Sequence, residues 1–360
     1  MARSQIRLSS LIGVGLAISL SACAVVAQPS WPLADPAERS KPKPTVPQTT
    51  VVPTTPAVVQ GASPSSRPFS TGSPFNTPIP AGTNWYDSSP LHTTPAINGD
   101  TRRHWWVLGP FGVYYAQPTD PIWTFNMPTV NGGDAFHRSR AAQTFKVRAP
   151  AGIVAGTDTD QILVVVDGTT YYELWLSSVD SANRTVTGRV WATGDIVTGA
   201  GAGNMAVNDG VRATNFSWAA GLITGRDLAN ATIDHALAVA LPGDVLDGHT
   251  DQGYIYPATA WDNGGWSGPV KSGTRLGIPA GTPQPAGLTP LGIKIFKALT
   301  VYGAYVGDFV GGSWPAFYVD ANTVDVNSPT ITNLYAFWDN NGSADMDKIG
   351  PLLRVADYQP

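Results

Sequence analysis

The most regular stretch of the chain is the β-branched run Ile162-Leu163-Val164-Val165-Val166, followed by Asp167-Gly168 and then Tyr171-Tyr172-Glu173-Leu174-Trp175-Leu176. Two apolar runs flanking turn residues predict a β-hairpin. Alternation along its second strand sets Tyr171, Glu173 and Trp175 on one face and Tyr172, Leu174 and Leu176 on the other. Thr185 to Trp191, Ala236 to Leu241 and Tyr254 to Tyr256 read as further strands. Helix is scarce. The best candidate runs from Leu291 to Tyr302, where Ile295, Leu299 and Tyr302 recur at helical spacing and Gly303 supplies a stop. Many short strands separated by Gly, Pro, Asn and Asp predict an all-β domain, a β-sandwich or jelly roll with one or two short packed helices. No internal repeat has the regularity of a propeller or solenoid.

The N-terminal pattern is different. Arg3 and Arg7 precede an apolar run from Leu11 to Leu20 that is too short to span a bilayer and reads as a secretion signal. It ends in Leu20-Ser21-Ala22-Cys23, which resembles the lipobox of bacterial lipoproteins, where the cysteine carries the lipid (diacyl and palmitate-type chains). Cys23 is the only cysteine, so disulfides and cysteine-ligated zinc are excluded, and lipidation accounts for the odd thiol. The alternative is ordinary signal cleavage near Ala27. Residues 23–67 then turn to Pro, Thr, Ser and Val, with prolines at 42, 44, 47, 53 and 56. Proline lacks an amide hydrogen and favours extended neighbours, so this stretch reads as a disordered tether. Residues 68–360 suffice for one large β-rich extracytoplasmic domain.

Composition narrows the chemistry. A net charge of −4 with only 13% charged residues leaves no basic stripe, which excludes nucleic acid as a partner. Twelve Trp and twelve Tyr are plentiful. Such rings fill cores, and they also stack on the C–H faces of sugars. No nucleophile elbow, phosphate loop, dinucleotide fingerprint or zinc-protease helix occurs. The chain holds two glutamates, Glu38 in the tether and Glu173 in the predicted hairpin, so its acids are almost all aspartate. Glycoside hydrolysis needs two carboxyl groups, and Glu173 is the first candidate, with Asp167, Asp234, Asp308 and Asp339 as partners. Glu173 reads equally as a solvent-facing strand residue and Asp167 as a turn residue. Tyr171, Trp175 and Tyr256 are candidate substrate-binding rings.

The histidines, His92, His104, His137, His235 and His249, form no compact metal motif. His235, in Ile233-Asp234-His235-Ala236-Leu237, reads either as a general base or lyase residue or as a buried histidine bonded to backbone. Asp339-Asn340-Asn341-Gly342-Ser343-Ala344-Asp345 places oxygen side chains at alternate positions, as calcium loops do. Asp339, Asn341 and Asp345 are therefore candidate calcium ligands, with a plain polar turn as the alternative. Ala344 and Gly350 depart from the EF-hand pattern.

Several blocks together, Ser73 to Pro80, Asp167 to Trp175, Ala220-Gly221-Leu222, Ile233 to Leu237, Tyr254 to Ala258 and Tyr302 to Asp308, resemble a family of exported, largely uncharacterised actinobacterial β-rich proteins. That resemblance implies export and a single β-rich domain, and it transfers no catalytic residue. Three functions fit: a glycoside hydrolase on cell-envelope or environmental polysaccharide, with a lyase using His235 and a tyrosine as its variant; a glycan-binding lipoprotein without catalysis; or a structural or adhesive envelope protein. None of them requires a cofactor beyond the calcium just considered.

Overall fold

A computed structural model describes residues 67–97, 100–108, 111–131, 139–206, 209–249, 252–320, 322 and 343–357. All belong to one compact unit, Ala57–Pro360. Cys23 and the tether up to residue 66 lie outside the described residues. Strands dominate, in open mixed sheets with few short helices, as the all-β expectation requires.

In chain order come β1 (Trp85–Tyr86), α1 (Ser89–His92), β2 (Thr93–Ile97), β3 (Asp100–Arg102), β4 (Trp106–Leu108) and β5 (Val113–Tyr115). β6 (Ile122–Met127) and β7 (Gln143–Arg148) follow, then β8 (Leu163–Asp167), β9 (Thr170–Trp175), β10 (Ser178–Asp180), β11 (Thr185–Thr187) and β12 (Val190–Asp195). The last third holds α2 (Gly225–Ala229), β13 (Leu237–Leu241), β14 (Arg275–Gly277), α3 (Pro290–Val301), β15 (Ala304–Phe309), β16 (Ala316–Tyr318), α4 (Ser343–Ile349) and β17 (Arg354–Ala356). The largest sheet has the order β1-β17-β14-β15-β13-β16-β4, and two four-stranded sheets run β10-β11-β6-β7 and β12-β9-β8-β5. Parallel pairs, such as β13 with β15 and β5 with β8, sit beside antiparallel ones.

The expected hairpin is β8–β9, closed by Gly168-Thr169 with Gly168 at φ +64°. Left-handed backbone at the first loop position is what a two-residue hairpin demands, and glycine supplies it without a Cβ clash. The expected helix is α3. Thr289 caps it by accepting the Gly292 N–H, Pro290 occupies the first turn, and Gly303 ends it at φ +75°. Its Leu291, Ile295, Phe296 and Leu299 are buried, each contributing roughly 1.5–3 kcal/mol.

Two expectations are corrected. Thr185 to Trp191 is not one strand: β11 pairs with β6 in one sheet and β12 with β9 in another. The chain changes sheet at Gly188, where a Cβ would lie 3.1 Å from Leu174 and from the Trp175 carbonyl. Tyr254 to Tyr256 makes only an isolated bridge at Tyr254, because Pro257, which has no amide hydrogen to extend a ladder, follows at once.

β13 is buried at every position and separates two cores. Leu237, Val239 and Leu241 join α3, Val306 and Phe317 on one face. Ala238 and Ala240 join Tyr305, Tyr318, Phe216, Trp218 and the β8 valines on the other. The small alanines leave that second face room for large side chains.

Candidate functional site

The register between β13 and β15 slips where Val239 faces Val306 but Ala240 faces Asp308, so Gly307 is an extra residue in the strand. Strict alternation would set Asp308 on the apolar α3 side with Val306. The bulge moves it instead to the Ala240 and Tyr305 side, while Phe309 turns toward the α3 side and stacks on Trp266 at 3.9 Å. Bulges recur where a side chain must be re-aimed. Asp308 is only partly covered. Burial, and then the nearby Asp160 carboxylate, push its proton affinity well above the usual carboxylate range, with Asp262 acting in the same direction and Arg212 against it. Asp262 is itself raised by burial and by Asp160, and Asp158 likewise. Two carboxylates from separate segments, Asp160 and Asp262, therefore act on Asp308, and Asp158 acts with its neighbour Asp160.

Aromatic rings border this cluster. The Trp175 indole N–H donates to Asp160 at 2.9 Å, fixing that carboxylate at the end of β9. Trp261, adjacent to Asp262, stacks on Tyr254 with centroids 5.3 Å apart and donates its indole N–H to the His249 carbonyl. Both tryptophans are partly exposed. Tyr318, on β16, lies beneath, and burial together with Asp308 holds its hydroxyl well above the usual tyrosine range.

Arg212 sits at the floor. It is fully buried, its guanidinium 3.8 Å from the Trp218 ring and 4.2 Å from the Tyr318 ring. None of its three guanidinium nitrogens meets a hydrogen-bond acceptor, and the Trp218 indole nitrogen is also without one. Stacking between two rings offsets part of the desolvation, with a cation–π contact of about 2 kcal/mol in a dry site.

Glu173 builds the loop that carries Arg212 and Trp218. One oxygen accepts the Ser217 hydroxyl and the Ala219 N–H (3.3 Å), and the other accepts the N–H groups of Trp218 (3.0 Å) and Val211 (3.4 Å). The loop is further tied by Thr214 to the Gly307 carbonyl at 2.8 Å and by Asn215 to Thr259 at 3.0 Å. Gly210 is obligatory there, since a Cβ would lie 2.0 Å from the Phe216 carbonyl. Burial pushes the Glu173 carboxyl up to about 7 against the pull of Ser217, Trp218, Ala219 and Arg212. With no exposed surface, Glu173 is not the solvent-facing residue of one sequence reading, and it reaches no substrate. It is a positioning residue.

The other candidates lie elsewhere. Asp167 receives the Arg148 N–H at 2.8 Å and pairs with its guanidinium at the hairpin end. Tyr171 is buried and donates to the Asp209 carbonyl. Tyr256 is 70% exposed beside Gly203, and Asp234 forms a two-pronged pair with Arg226 at 2.7 and 2.9 Å. His235 is buried, with Nδ1 2.9 Å from the Ala236 carbonyl and Nε2 3.2 Å from Asp227. Both ring nitrogens face acceptors, which corresponds to the buried alternative for this residue. Asp345, in α4, accepts the Thr289 N–H at 3.0 Å and the Thr289 hydroxyl, so both of its oxygens serve the start of α3. Asp339, Asn341 and His137 lie outside the described residues, among which no group of three His, Cys, Asp or Glu could hold a metal ion. A depression of about 400 Å³ lined by Asn126, Met127, Gln143 and Thr187 supplies no acid or base.

Of the residues singled out in the sequence, Trp175 is tied to Asp160, whose charge acts on Asp308, and Glu173 holds the loop that carries Arg212 and Trp218. Asp158, Asp160, Asp262, Arg212 and Tyr318 carry no periodic pattern that marks them. No protein-family model, curated protein or solved structure matches this chain.

Proposed function

We propose that the protein is an exported, Cys23-lipidated glycoside hydrolase that acts on polysaccharide outside the membrane, with Asp308 as its proton donor. The observation that carries this reading is a partly exposed Asp308, re-aimed by the bulge at Gly307, whose proton affinity burial and the charges of Asp160 and Asp262 raise, with the Trp175 indole bonded to Asp160 and a partly exposed Trp261 next to Asp262 in the chain. A carboxyl whose proton affinity is raised can protonate a leaving glycosidic oxygen, and a second carboxylate nearby stabilises or attacks the sugar cation or activates water. Asp160, oriented by the Trp175 indole, takes that second role. Trp261 and Trp175 supply ring faces for sugar stacking. His235 supports no lyase role, because it is enclosed with Asp227. No helix among the described residues is long and apolar enough to cross a membrane, so anchorage in this reading rests on Cys23.

The test is product release from a panel of bacterial envelope and plant polysaccharides, read by reducing ends and mass spectrometry. The parent releases oligosaccharides, and Asp308→Asn and Asp160→Asn each lower the rate by about 10²-fold or more while melting normally. Binding without release by the parent would replace the hydrolase with a glycan-binding lipoprotein.

A further inference from the structure

Three uncharged stretches meet where the chain enters the domain. Residues 68–86, 196–206 and 252–260 contain no Asp, Glu, Lys, Arg or His, whereas a soluble surface usually carries roughly a quarter or more of such charges. Phe69 donates its N–H to the Ile196 carbonyl and Ser70 donates to the Gly199 carbonyl at 2.9 Å. The Phe69 ring fits against Gly201, where a Cβ would lie 2.7 Å from it, and the Tyr256 ring lies against Gly203, where a Cβ would lie 2.9 Å away. Val197, Met205 and Tyr256 are 50%, 53% and 70% exposed, three of the six large apolar side chains that stand exposed among the described residues. Apolar side chains scattered singly on a surface need no partner, but three on two touching loops that lack any charge form a patch. The acids at its border are already engaged: Asp195 accepts the Thr169 hydroxyl and the N–H groups of Val197 and Thr198, and Asp209 accepts the Asn204 N–H at 2.8 Å. Arg67 stands at the entry, its guanidinium donating to the Asp234 carbonyl at 2.7 Å.

We infer that this patch rests on the lipid surface, with Val197, Met205 and Tyr256 set into the headgroup region, an inference that rests on the reading of Cys23 as a lipid anchor. What selects lipid as the occupant is where the preceding chain ends. It joins the domain at Arg67, one bonded segment away from Ile196 and Gly199. Whatever its path, that chain holds Arg67 within about 150 Å of an anchored Cys23. Anchoring makes each encounter with the bilayer intramolecular, so three side chains of weak affinity are enough to keep the patch seated. A tyrosine, with its apolar ring and polar hydroxyl, matches the boundary between headgroups and acyl chains. The missing charges matter equally, because loops that carry none lose no ion hydration when pressed against lipid.

The experiment places the full-length protein, purified from bacterial membranes, in vesicles of mixed phosphatidylethanolamine and phosphatidylglycerol. A cysteine whose sulfur carries lipid is no longer a thiol, so Met205→Cys and, as the control in the exposed β10–β11 turn, Ala182→Cys each take a single dye. Iodide quenches the dye at 205 roughly threefold less than the dye at 182, as shielding in the headgroup region requires. Val197→Asp combined with Tyr256→Asp abolishes the difference while the domain melts as the parent does, since both side chains are exposed. Equal quenching at the two positions overturns the inference. Intact mass of the same preparation reads the anchor separately: acylated Cys23 with equal quenching leaves the lipoprotein reading standing and removes the patch alone. If Cys23 carries no acyl chain, the same dyes on the Cys23→Ser chain decide with added vesicles, where shielding at 205 upholds the patch without the anchor and its absence overturns both. Shielding that requires an envelope polysaccharide and not lipid gives the patch to glycan and overturns the inference.

Discussion

Glu173 accepts the backbone N–H of Trp218 at 3.0 Å, tying the only glutamate of the domain to the ring that covers Arg212. The acid has no exposed surface and still positions the loop that carries the buried Arg212. Its replacement acts on both stability and activity.

Glu173→Ala strands the N–H groups of Val211, Trp218 and Ala219 in a dry interior and removes one of the acids facing Arg212. It costs about 3–5 kcal/mol, read as a fall in the urea midpoint. Near-ultraviolet circular dichroism reports a loosened Trp218 at the same time. A loss under 1 kcal/mol contradicts the assignment of Glu173 as the anchor of the loop.

The same residue gives the stability a pH dependence. Its carboxyl binds a proton up to about pH 7 in the fold, against an ordinary value of 4.5. Between those values the folded state holds more protons than the unfolded one, so stability falls as pH rises through that window and levels above it. The change is of order 3 kcal/mol, and Glu173→Gln flattens it. Denaturant melts of both proteins from pH 4 to pH 8 check this.

His235 acts in the same direction at higher pH. Burial disfavours its imidazolium, but Asp227 and the Ala236 carbonyl outweigh that and raise its affinity for a proton above the usual 6.5. Its contribution is full below about pH 6.5 and is lost as pH rises through the higher folded value. Histidine Cε1–H titration by NMR gives a midpoint above 6.5, and a midpoint at or below it refutes the buried ion pair.

Asp262→Asn removes a negative neighbour of Asp308, so Asp308 loses its proton at lower pH. If Asp308 is the proton donor, the alkaline limb of the pH–rate profile moves to lower pH in this variant. An unmoved limb assigns the proton to another group.

Asp345→Ala leaves the Thr289 N–H and hydroxyl without their acceptor at the start of α3. The expected loss is about 1–3 kcal/mol, the same whether calcium or a chelator is present. A loss that appears only when calcium is present identifies Asp345 as a ligand.

What the sequence revealed depended on how local the cause was. The β8–β9 hairpin and α3 are written in contiguous residues: a valine run with a glycine at its turn, and a Thr-Pro start with a glycine stop. The break between β11 and β12 is not, because Gly188 is needed only where the chain passes Leu174. Asp308 was legible as one of several aspartates, yet the bulge at Gly307 that turns it toward Tyr318 arises from pairing with β13. Asp160 and Asp262 lie in segments without a periodic pattern, and only tertiary structure lets their charges act on Asp308. Glu173 drew notice for its rarity, and its enclosure depends on a loop some forty residues away (|i−j| = 44 to Ser217).

The edge of the large sheet bears on how the domain comes into being. β17 lies between β1 and β14, pairing Trp85 with Ala356 and Leu276 with Val355, and Asn84 bonds to Asp357 across 273 residues. Among the described residues, a growing chain therefore offers β1 no strand partner until Arg354–Ala356 have arrived. The first described strand waits for the last described one, so this edge of the sheet closes late, and chains cut short before β17 should be cleared by proteases as unfinished molecules.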